Sequence, residues 1–197
     1  MRRARAIVAT VAIVVAVAVG LGALLLVRSS DDPGGAATGM PGPDDLQNPI
    51  GGEEVGPKVG QVAPDFSIPG LDGGTVDLSA YAGRPVVLNF WASWCQPCRR
   101  EFPILEDMAT GYASEGLVVI GIATNDTPAD ARRFARDQDA SWSLAHDTRQ
   151  RVAETYGVKG RGLPQTFFIG TDGKVAVRVA GELRASTIEG HVDMILP

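Results

Sequence analysis

The segment Pro85–Cys98, PVVLNFWASWCQPC, constrains the fold of this chain more than any other stretch. Residues 85–92 form a near-continuous apolar run rich in β-forming residues, which is typical of a strand buried on both faces of a sheet. A helix is predicted to begin near Cys95, because Pro97 fits the first turn of a helix, where its missing N–H is not needed. A buried strand that leads directly into a helix indicates an α/β domain.

Strand and helix patterns alternate through the rest of the globular region, and no internal repeat is visible. The alternation predicts parallel strands joined by helices, with antiparallel strands at one edge. We therefore expect a central mixed β-sheet flanked by helices, with an N-terminal β-hairpin extension. The predicted elements are a hairpin at 65–78, strands at 85–92 and 116–124, helices from 95, 128 and 148, a hairpin at 165–181 and a helix at 185–196.

An uncharged apolar run at residues 7–27 precedes the globular region. As a helix it would be about 30 Å long, which matches the hydrocarbon core of a bilayer. The run is longer than the apolar core of a usual secretory signal and ends in a poor cleavage site, so we expect residues 1–28 to be a transmembrane anchor, with a signal peptide as the alternative. Arg2, Arg3 and Arg5 before the run predict a cytoplasmic N-terminus.

Residues 29–57 are rich in glycine, proline and acidic residues and show no apolar periodicity, which predicts a flexible linker. The globular domain is then expected at 58–197, outside the cytoplasm, either in a periplasm or on the outer face of the cell membrane. The chain has a formal net charge of −5, and its globular region contains no basic cluster. Nucleic-acid binding is therefore not expected.

Cys95 and Cys98 are the only cysteines in the chain. A purely structural disulfide between them would close a very short loop and would therefore stabilise the fold little. A structural zinc site usually needs four ligands, and the sequence adds only the well-separated His146 and His191, so we expect no metal site. A redox pair explains the placement best, because a helix N-terminus stabilises a thiolate at Cys95.

The same stretch, with the later segment GVKGRGLPQTFFIGTDGKV, resembles the TlpA/ResA-like branch of membrane-anchored thioredoxin-family proteins. The resemblance covers about residues 57–197 and implies a thioredoxin-like fold. It implies that Cys95 is the attacking thiol and Cys98 the resolving thiol. It also implies that Pro164 is a cis-proline whose backbone, with that of Leu163, pairs with the substrate chain. Trp94 and Pro97 are the other two residues that we expect to contact the substrate.

Cytoplasmic thioredoxins have a buried aspartate at the position of Asn89. The asparagine side chain cannot exchange a proton, so the acid–base role of that aspartate is absent here. The resemblance implies an acidic residue after the next buried strand, where Asp126 lies. We expect Asp126 to accept the proton of Cys98, with an ordinary turn or helix-cap role as the alternative. Glu101 is expected to be an exposed helix residue or an ion-pair partner.

The resemblance implies a thiol–disulfide oxidoreductase with no cofactor besides its Cys95–Cys98 disulfide. We expect a disulfide reductase that acts on a protein disulfide, with apocytochrome c as one substrate, and that receives electrons from a membrane thiol donor. Two alternatives remain open at this point. One is a thiol peroxidase on the same fold, and the other is a non-catalytic module that binds copper or a partner protein.

Overall fold

The computed structural model describes residues 56–160 and 162–197. The predicted anchor at 1–28 and nearly all of the predicted linker at 29–57 lie outside these residues, so the domain limits stay predictions. None of the helices in the described part has the length and apolar character that a bilayer crossing requires.

Within the described ranges, seven strands form two sheets. The main sheet has the order β5-β4-β3-β6-β7; β4 is parallel to β3 and β5, whereas β6 is antiparallel to β3 and β7. Strands β1 and β2 pair with each other as the predicted antiparallel hairpin. The strands are β1 Ser67–Pro69, β2 Thr75–Asp77, β3 Val86–Trp91, β4 Val118–Thr124, β5 Ser143–Asp147, β6 Gln165–Ile169 and β7 Val175–Ala180.

Four α-helices connect or follow the strands of the main sheet in this part of the chain. The second helix begins as the sequence predicts, because the Thr127 hydroxyl accepts a hydrogen bond from the Asp130 N–H at 3.1 Å and Pro128 occupies the first turn. The helices are α1 Gln96–Gly111, α2 Pro128–Asp137, α3 Arg151–Thr155 and α4 Ala185–Asp193.

Strand β3 lies at the centre of the main sheet, and all six of its residues are buried. Successive side chains of a strand point to opposite faces, so Phe90 and Trp91 pack into different layers. The ring of Trp91 lies 4.9 Å from that of Phe102 on α1, and the ring of Phe90 lies 5.4 Å from that of Tyr156 after α3. The predicted mixed sheet with helices against both faces is confirmed.

The structure contains a strand, β5, that the sequence pattern does not predict. Its residues SLAHD combine a short apolar stretch with His146 and Asp147, and polar residues of this kind are typical of a loop. Tertiary contacts explain the difference: five residues pair with β4, and both polar side chains are buried with hydrogen-bond partners. The Asp147 carboxylate accepts the N–H groups of Arg151 and Ala153 at the start of α3.

Candidate active site

One edge of the main sheet brings together four residues that the sequence singles out. Strands β3 and β4 are parallel, so the segments after them, which contain Cys95 and Asp126, leave the sheet at the same edge. Strand β6 runs antiparallel to β3 and therefore begins at that edge, directly after Pro164. The topology thus places the cysteine pair, the proline and the aspartate at one end of the domain.

Cys95 and Cys98 are joined by a disulfide bond, and their α-carbons are 5.3 Å apart. Cys95 is the N-cap residue of α1, and its Sγ accepts a hydrogen bond from the Cys98 N–H at 3.2 Å. Both residues are buried, and the relative exposure is 4% for Cys95 and 0% for Cys98, so Cys95 is the less buried of the two. Free N–H groups and the helix dipole favour a negative charge at this position, which suits an attacking thiolate at Cys95.

The Leu163–Pro164 peptide bond is cis, as the resemblance implies. The carbonyl of Pro164 accepts a hydrogen bond from the Gly181 N–H at 2.9 Å, so this carbonyl already has a partner inside the domain. This contact differs from the expectation that the backbone of both residues is free. No partner for the Leu163 N–H is found in residues 56–160 and 162–197, which makes Leu163 the better placed of the two to pair with a substrate chain.

Trp94 is 43% exposed and lies immediately before the cysteine pair. Its indole N–H donates to the carbonyl of Asn125 at 2.9 Å, which fixes the ring against the loop after β4. Pro97 is half-buried between the two cysteines in the first turn of α1. An apolar ring that is both exposed and held in place suits contact with a protein substrate.

Asp126 lies beside the loop that precedes Cys95. Its carboxylate accepts hydrogen bonds from the Ser93 N–H at 2.6 Å, the Ser93 hydroxyl at 3.0 Å and the Thr127 N–H at 2.8 Å. The side chain therefore ties the loop after β4 to the loop after β3. Asp126 is close to the site in the fold, as the sequence predicts, and its hydrogen bonds also give it a structural role in positioning Ser93.

Glu101 is not the exposed helix residue that the sequence suggests. Its relative exposure is 0%, and it lies three residues after Cys98, so both residues share one face of α1. One carboxylate oxygen accepts the Asn89 side-chain N–H at 2.8 Å, and the other accepts the Leu183 N–H at 2.9 Å. The helix turns this acid toward the sheet, because the same face carries buried apolar residues that must pack there.

The surroundings of Glu101 favour its protonated form. Burial raises the pKa of the Glu101 carboxyl to about 7, although the hydrogen bonds from Leu183 and Asn89 oppose the rise. A group with a pKa near neutrality can exchange a proton in either direction under ordinary conditions. Glu101 is therefore a candidate acid–base group one helical turn from Cys98, although its residue type alone suggests an exposed side chain.

A signal for Glu101 was present in the sequence at Asn89. A polar side chain at the centre of a fully buried strand needs a hydrogen-bond partner, and the helix that covers the strand must supply it. Asn89 also donates to the Thr166 hydroxyl at 3.0 Å, and Thr166 is its register partner on β6. Cytoplasmic thioredoxins have an aspartate at this position, whereas here the Asn89 amide donates a hydrogen bond to the acid on α1, Glu101.

In the described ranges, no group of three or more histidine, cysteine, aspartate or glutamate side chains is arranged to hold a metal ion. The cysteine pair is oxidised to a disulfide, and it is the redox centre of the site. Two sulfurs that can pass between dithiol and disulfide carry two electrons without any additional group.

The chain was compared with known proteins and structures. The AhpC/TSA family model matches residues 59–178. The thiol-disulfide oxidoreductase ResA of Bacillus thuringiensis (strain Al Hakam) is 32% identical over 140 residues, which cover 71% of this chain and 80% of that protein. The chain spans most of this relative's length.

Two solved structures from Chlorobium tepidum are also similar. One is a candidate thiol:disulfide interchange protein DsbE, which is 35% identical with a TM-score of 0.67 over 72% of this chain and 99% of that chain. The other is a thiol:disulfide interchange protein of the thioredoxin family, which is 27% identical with a TM-score of 0.63 over 70% of this chain and 97% of that chain. With its Cys95–Cys98 disulfide at the end of a central strand, the chain belongs to the AhpC/TSA family and is a ResA-related thiol–disulfide oxidoreductase with a thioredoxin-like fold.

Proposed function

We propose that this protein is a membrane-tethered disulfide reductase that works on the outer side of the cytoplasmic membrane. The observation that carries the proposal is the arrangement at the start of α1, where Cys95, the less buried cysteine, caps the helix and precedes the fully buried Cys98 and the buried carboxyl group of Glu101. The apolar run at 7–27 and the linker at 29–57 support the tether and the location.

The reaction begins with the reduced pair. The Cys95 thiolate attacks one sulfur of a substrate disulfide, so that a mixed disulfide forms and the other substrate sulfur leaves as a thiolate. The Cys98 thiolate then attacks the Cys95 sulfur, which releases the second substrate thiolate and forms the Cys95–Cys98 disulfide. Two electrons pass to the substrate, and a dithiol donor must return two electrons and two protons to the pair before the next cycle.

Cys98 must lose its proton before it can resolve the mixed disulfide. Glu101 is the acceptor that the geometry favours, because it is buried, shares a helix face with Cys98 and has a pKa raised to about 7 by burial. Asp126 is the second candidate, since it lies at the same edge of the sheet and contacts Ser93. Separate substitutions of the two carboxylates can distinguish their roles.

The substrate is a protein disulfide that reaches the surface around Trp94, Pro97 and the cis Leu163–Pro164 bond. An extended substrate strand would pair with the Leu163 backbone while its sulfur meets Cys95. Apocytochrome c, with its paired cysteines, is the specific substrate that we propose. A membrane thiol carrier is the proposed electron donor, because cytoplasmic thioredoxin does not reach the outer side.

Trapping of the mixed disulfide tests the proposal directly. The full chain with Cys98→Ala is produced in its host, thiols are blocked with acid and an alkylating agent, and the proteins attached to Cys95 are identified. Cys95→Ala is the matched control, because it retains one thiol but removes the attacking one. We expect Cys98→Ala alone to retain protein partners, including an apocytochrome; recovery of none would contradict the proposal.

Reaction direction and location need separate measurements. A reductant is expected to have a reduction potential well below that of a strong disulfide donor, as measured by equilibration of the full chain with glutathione buffers. The alternatives predict different results in the same preparation: fast consumption of peroxide for a thiol peroxidase, and stoichiometric copper uptake without insulin reduction for a metal module. Protease access to the domain in intact spheroplasts tests the outer location.

A further inference from the structure

The segment Gly181–Leu183, between β7 and α4, contacts three parts of the proposed site at once. The Gly181 N–H donates to the carbonyl of Pro164 at 2.9 Å. The Leu183 N–H donates to the carboxylate of Glu101 at 2.9 Å. Between them, the Glu182 carboxylate faces the Arg100 guanidinium of α1, whose Nε donates to both oxygens at 3.0 Å. We call Gly181–Leu183 the bridging segment.

Backbone atoms of the bridging segment make the two inner contacts, so their positions depend on how the segment is held. Gly181 has a φ of 98°, a left-handed conformation that glycine adopts without strain and that turns the chain away from β7. Gly181 continues the β6–β7 register, in which Gln165 pairs with Ala180, and the Leu183 side chain is buried in the core at 2% exposure. The side-chain contact between Glu182 and Arg100 ties the outer surface of the segment to α1.

The ion pair is accessible to solvent, with side-chain exposures of 61% for Arg100 and 33% for Glu182. Surface ion pairs of this kind contribute little to overall stability. A paired guanidinium and carboxylate nevertheless has a defined geometry, because the donors form a rigid fork. Arg100 and Glu182 are adjacent in sequence to Glu101 and Leu183 respectively, so the outer pair lies beside the inner one.

We propose that Glu182 is a positioning residue for thiol–disulfide exchange, whose pairing with Arg100 holds the Leu183 N–H on Glu101. This inference rests on the proposed function. Loosening the ion pair then changes the group that takes the proton of Cys98 without touching a sulfur atom.

The groups around Glu101 determine whether loss of the ion pair raises or lowers the pKa of Glu101. Strand β3 presents the uncharged Asn89 side chain to Glu101, and Asn89 in turn donates to the Thr166 hydroxyl of β6. The Leu183 hydrogen bond lowers the pKa of Glu101, whereas the charge of Glu182 raises it. Besides Glu101, the charged groups of α1 are Arg99, Arg100, Glu106 and Asp107, and those of the chain from Gly181 to α4 are Glu182 and Arg184.

Glu182→Gln therefore separates two explanations. If Glu182 acted only through its charge, its removal would lower the pKa of Glu101. If it acts by positioning, the Leu183 hydrogen bond weakens and the pKa of Glu101 rises instead. The double variant Arg100→Ala/Glu182→Ala removes the ion pair without changing the net charge. Because loss of the Glu182 charge alone would lower the pKa of Glu101, a rise in this variant reports the loss of positioning.

The test is a pH titration of the Glu101 side-chain carbon signal by NMR, in the full chain labelled with carbon-13 glutamate and kept in mild detergent. The oxidised protein is used, so that no thiol titrates nearby, and Glu101→Gln assigns the signal. We expect the midpoint in Arg100→Ala/Glu182→Ala to rise by about 1 unit, the effect of losing one hydrogen bond to a charged group. The exchanged pair Arg100→Glu/Glu182→Arg should restore the wild-type midpoint.

Asp172→Ala/Lys174→Ala is the matched control, since it removes another exposed ion pair, in the turn between β6 and β7, at no change in net charge. Its midpoint should equal that of the wild type. An unchanged midpoint in Arg100→Ala/Glu182→Ala, or a lower one in Glu182→Gln, overturns the positioning role. Insulin reduction by the wild-type chain is measured in the same preparation, so a failure of the proposed function shows there and not in the titration.

Discussion

The side-chain N–H of Asn89 lies 2.8 Å from a carboxylate oxygen of Glu101, and both residues are completely buried. Asn89 belongs to the central strand and Glu101 to the helix that carries both cysteines, so the contact crosses the interface between sheet and helix. A buried acid that is hydrogen-bonded but faces no cation is costly to ionise. The same contact therefore ties the stability of the domain to the protonation of its site.

Glu101 should make the stability of the protein depend on pH. Its folded-state pKa is about 7, raised from 4.5 mainly by burial, so the folded state binds the proton more tightly than the unfolded state. The resulting stabilisation is complete at pH values below the pKa of the unfolded state and is lost as the pH rises through the pKa of the folded state. In urea unfolding, the free energy of unfolding of the wild type relative to that of Glu101→Gln should fall by about 3 kcal/mol between these two pKa values.

The comparison with Glu101→Gln cancels the titration of all other groups, because the two proteins differ at this residue alone. A stability difference that is constant from acid to alkaline pH would contradict the raised pKa. The part of the pH dependence of insulin reduction that comes from Glu101 should also disappear in Glu101→Gln, whereas the part that comes from ionisation of Cys95 should remain.

Asn89→Asp should disturb the site more than its small change in size suggests. Two carboxyl groups at this distance cannot both ionise readily, so they will titrate as a coupled pair and one of the two pKa values will rise. We expect slower disulfide reduction at neutral pH and a steeper loss of stability above it. Unfolding by urea at pH 5 and pH 8 measures the second effect, and Asn89→Ser, which adds no charge, is the control.

Local features of the sequence were enough to predict much of the fold. The apolar run of β3, the Thr127 cap and the turn between β6 and β7 depend on neighbouring residues, and the structure has each of them. The spacing of Cys95 and Cys98 likewise predicted the redox pair, which the structure shows as a disulfide. Periodicity and turn residues determine these elements before any distant contact forms.

The features that were missed depend on distant contacts. Strand β5 contains His146 and Asp147, which become acceptable in a strand only because other segments satisfy their hydrogen bonds. Glu101 looks exposed by residue type, and its burial follows from a strand asparagine twelve residues earlier and a loop amide 82 residues later. A buried acid of this kind can be predicted from the sequence only by recognising that a polar side chain in a buried strand, here Asn89, needs a hydrogen-bond partner on a neighbouring element.

Asp126→Asn should separate a structural role from a chemical one. Asparagine keeps the size of the side chain but accepts fewer hydrogen bonds from Ser93 and Thr127, and the expected loss of stability is about 1–2 kcal/mol. If Asp126 serves chiefly to hold the loop, the pH dependence of Cys98 attack will keep its wild-type midpoint. Rapid-mixing measurements of mixed-disulfide resolution test this, and a shifted midpoint would instead support Asp126 as the proton acceptor.

Cys95 should be the more reactive thiol once the disulfide is reduced. It caps α1, accepts the Cys98 N–H at 3.2 Å and is the less buried of the pair. A thiolate at a helix N-terminus is stabilised, so the pKa of Cys95 should fall below the value of about 8.5 for a free thiol. Alkylation by iodoacetamide should therefore modify Cys95 first at neutral pH, as mass spectrometry of the partly modified chain would detect. Cys98→Ala should keep the fast reaction and Cys95→Ala should lose it, whereas equal rates for the two variants would contradict the assignment of Cys95 as the attacking sulfur.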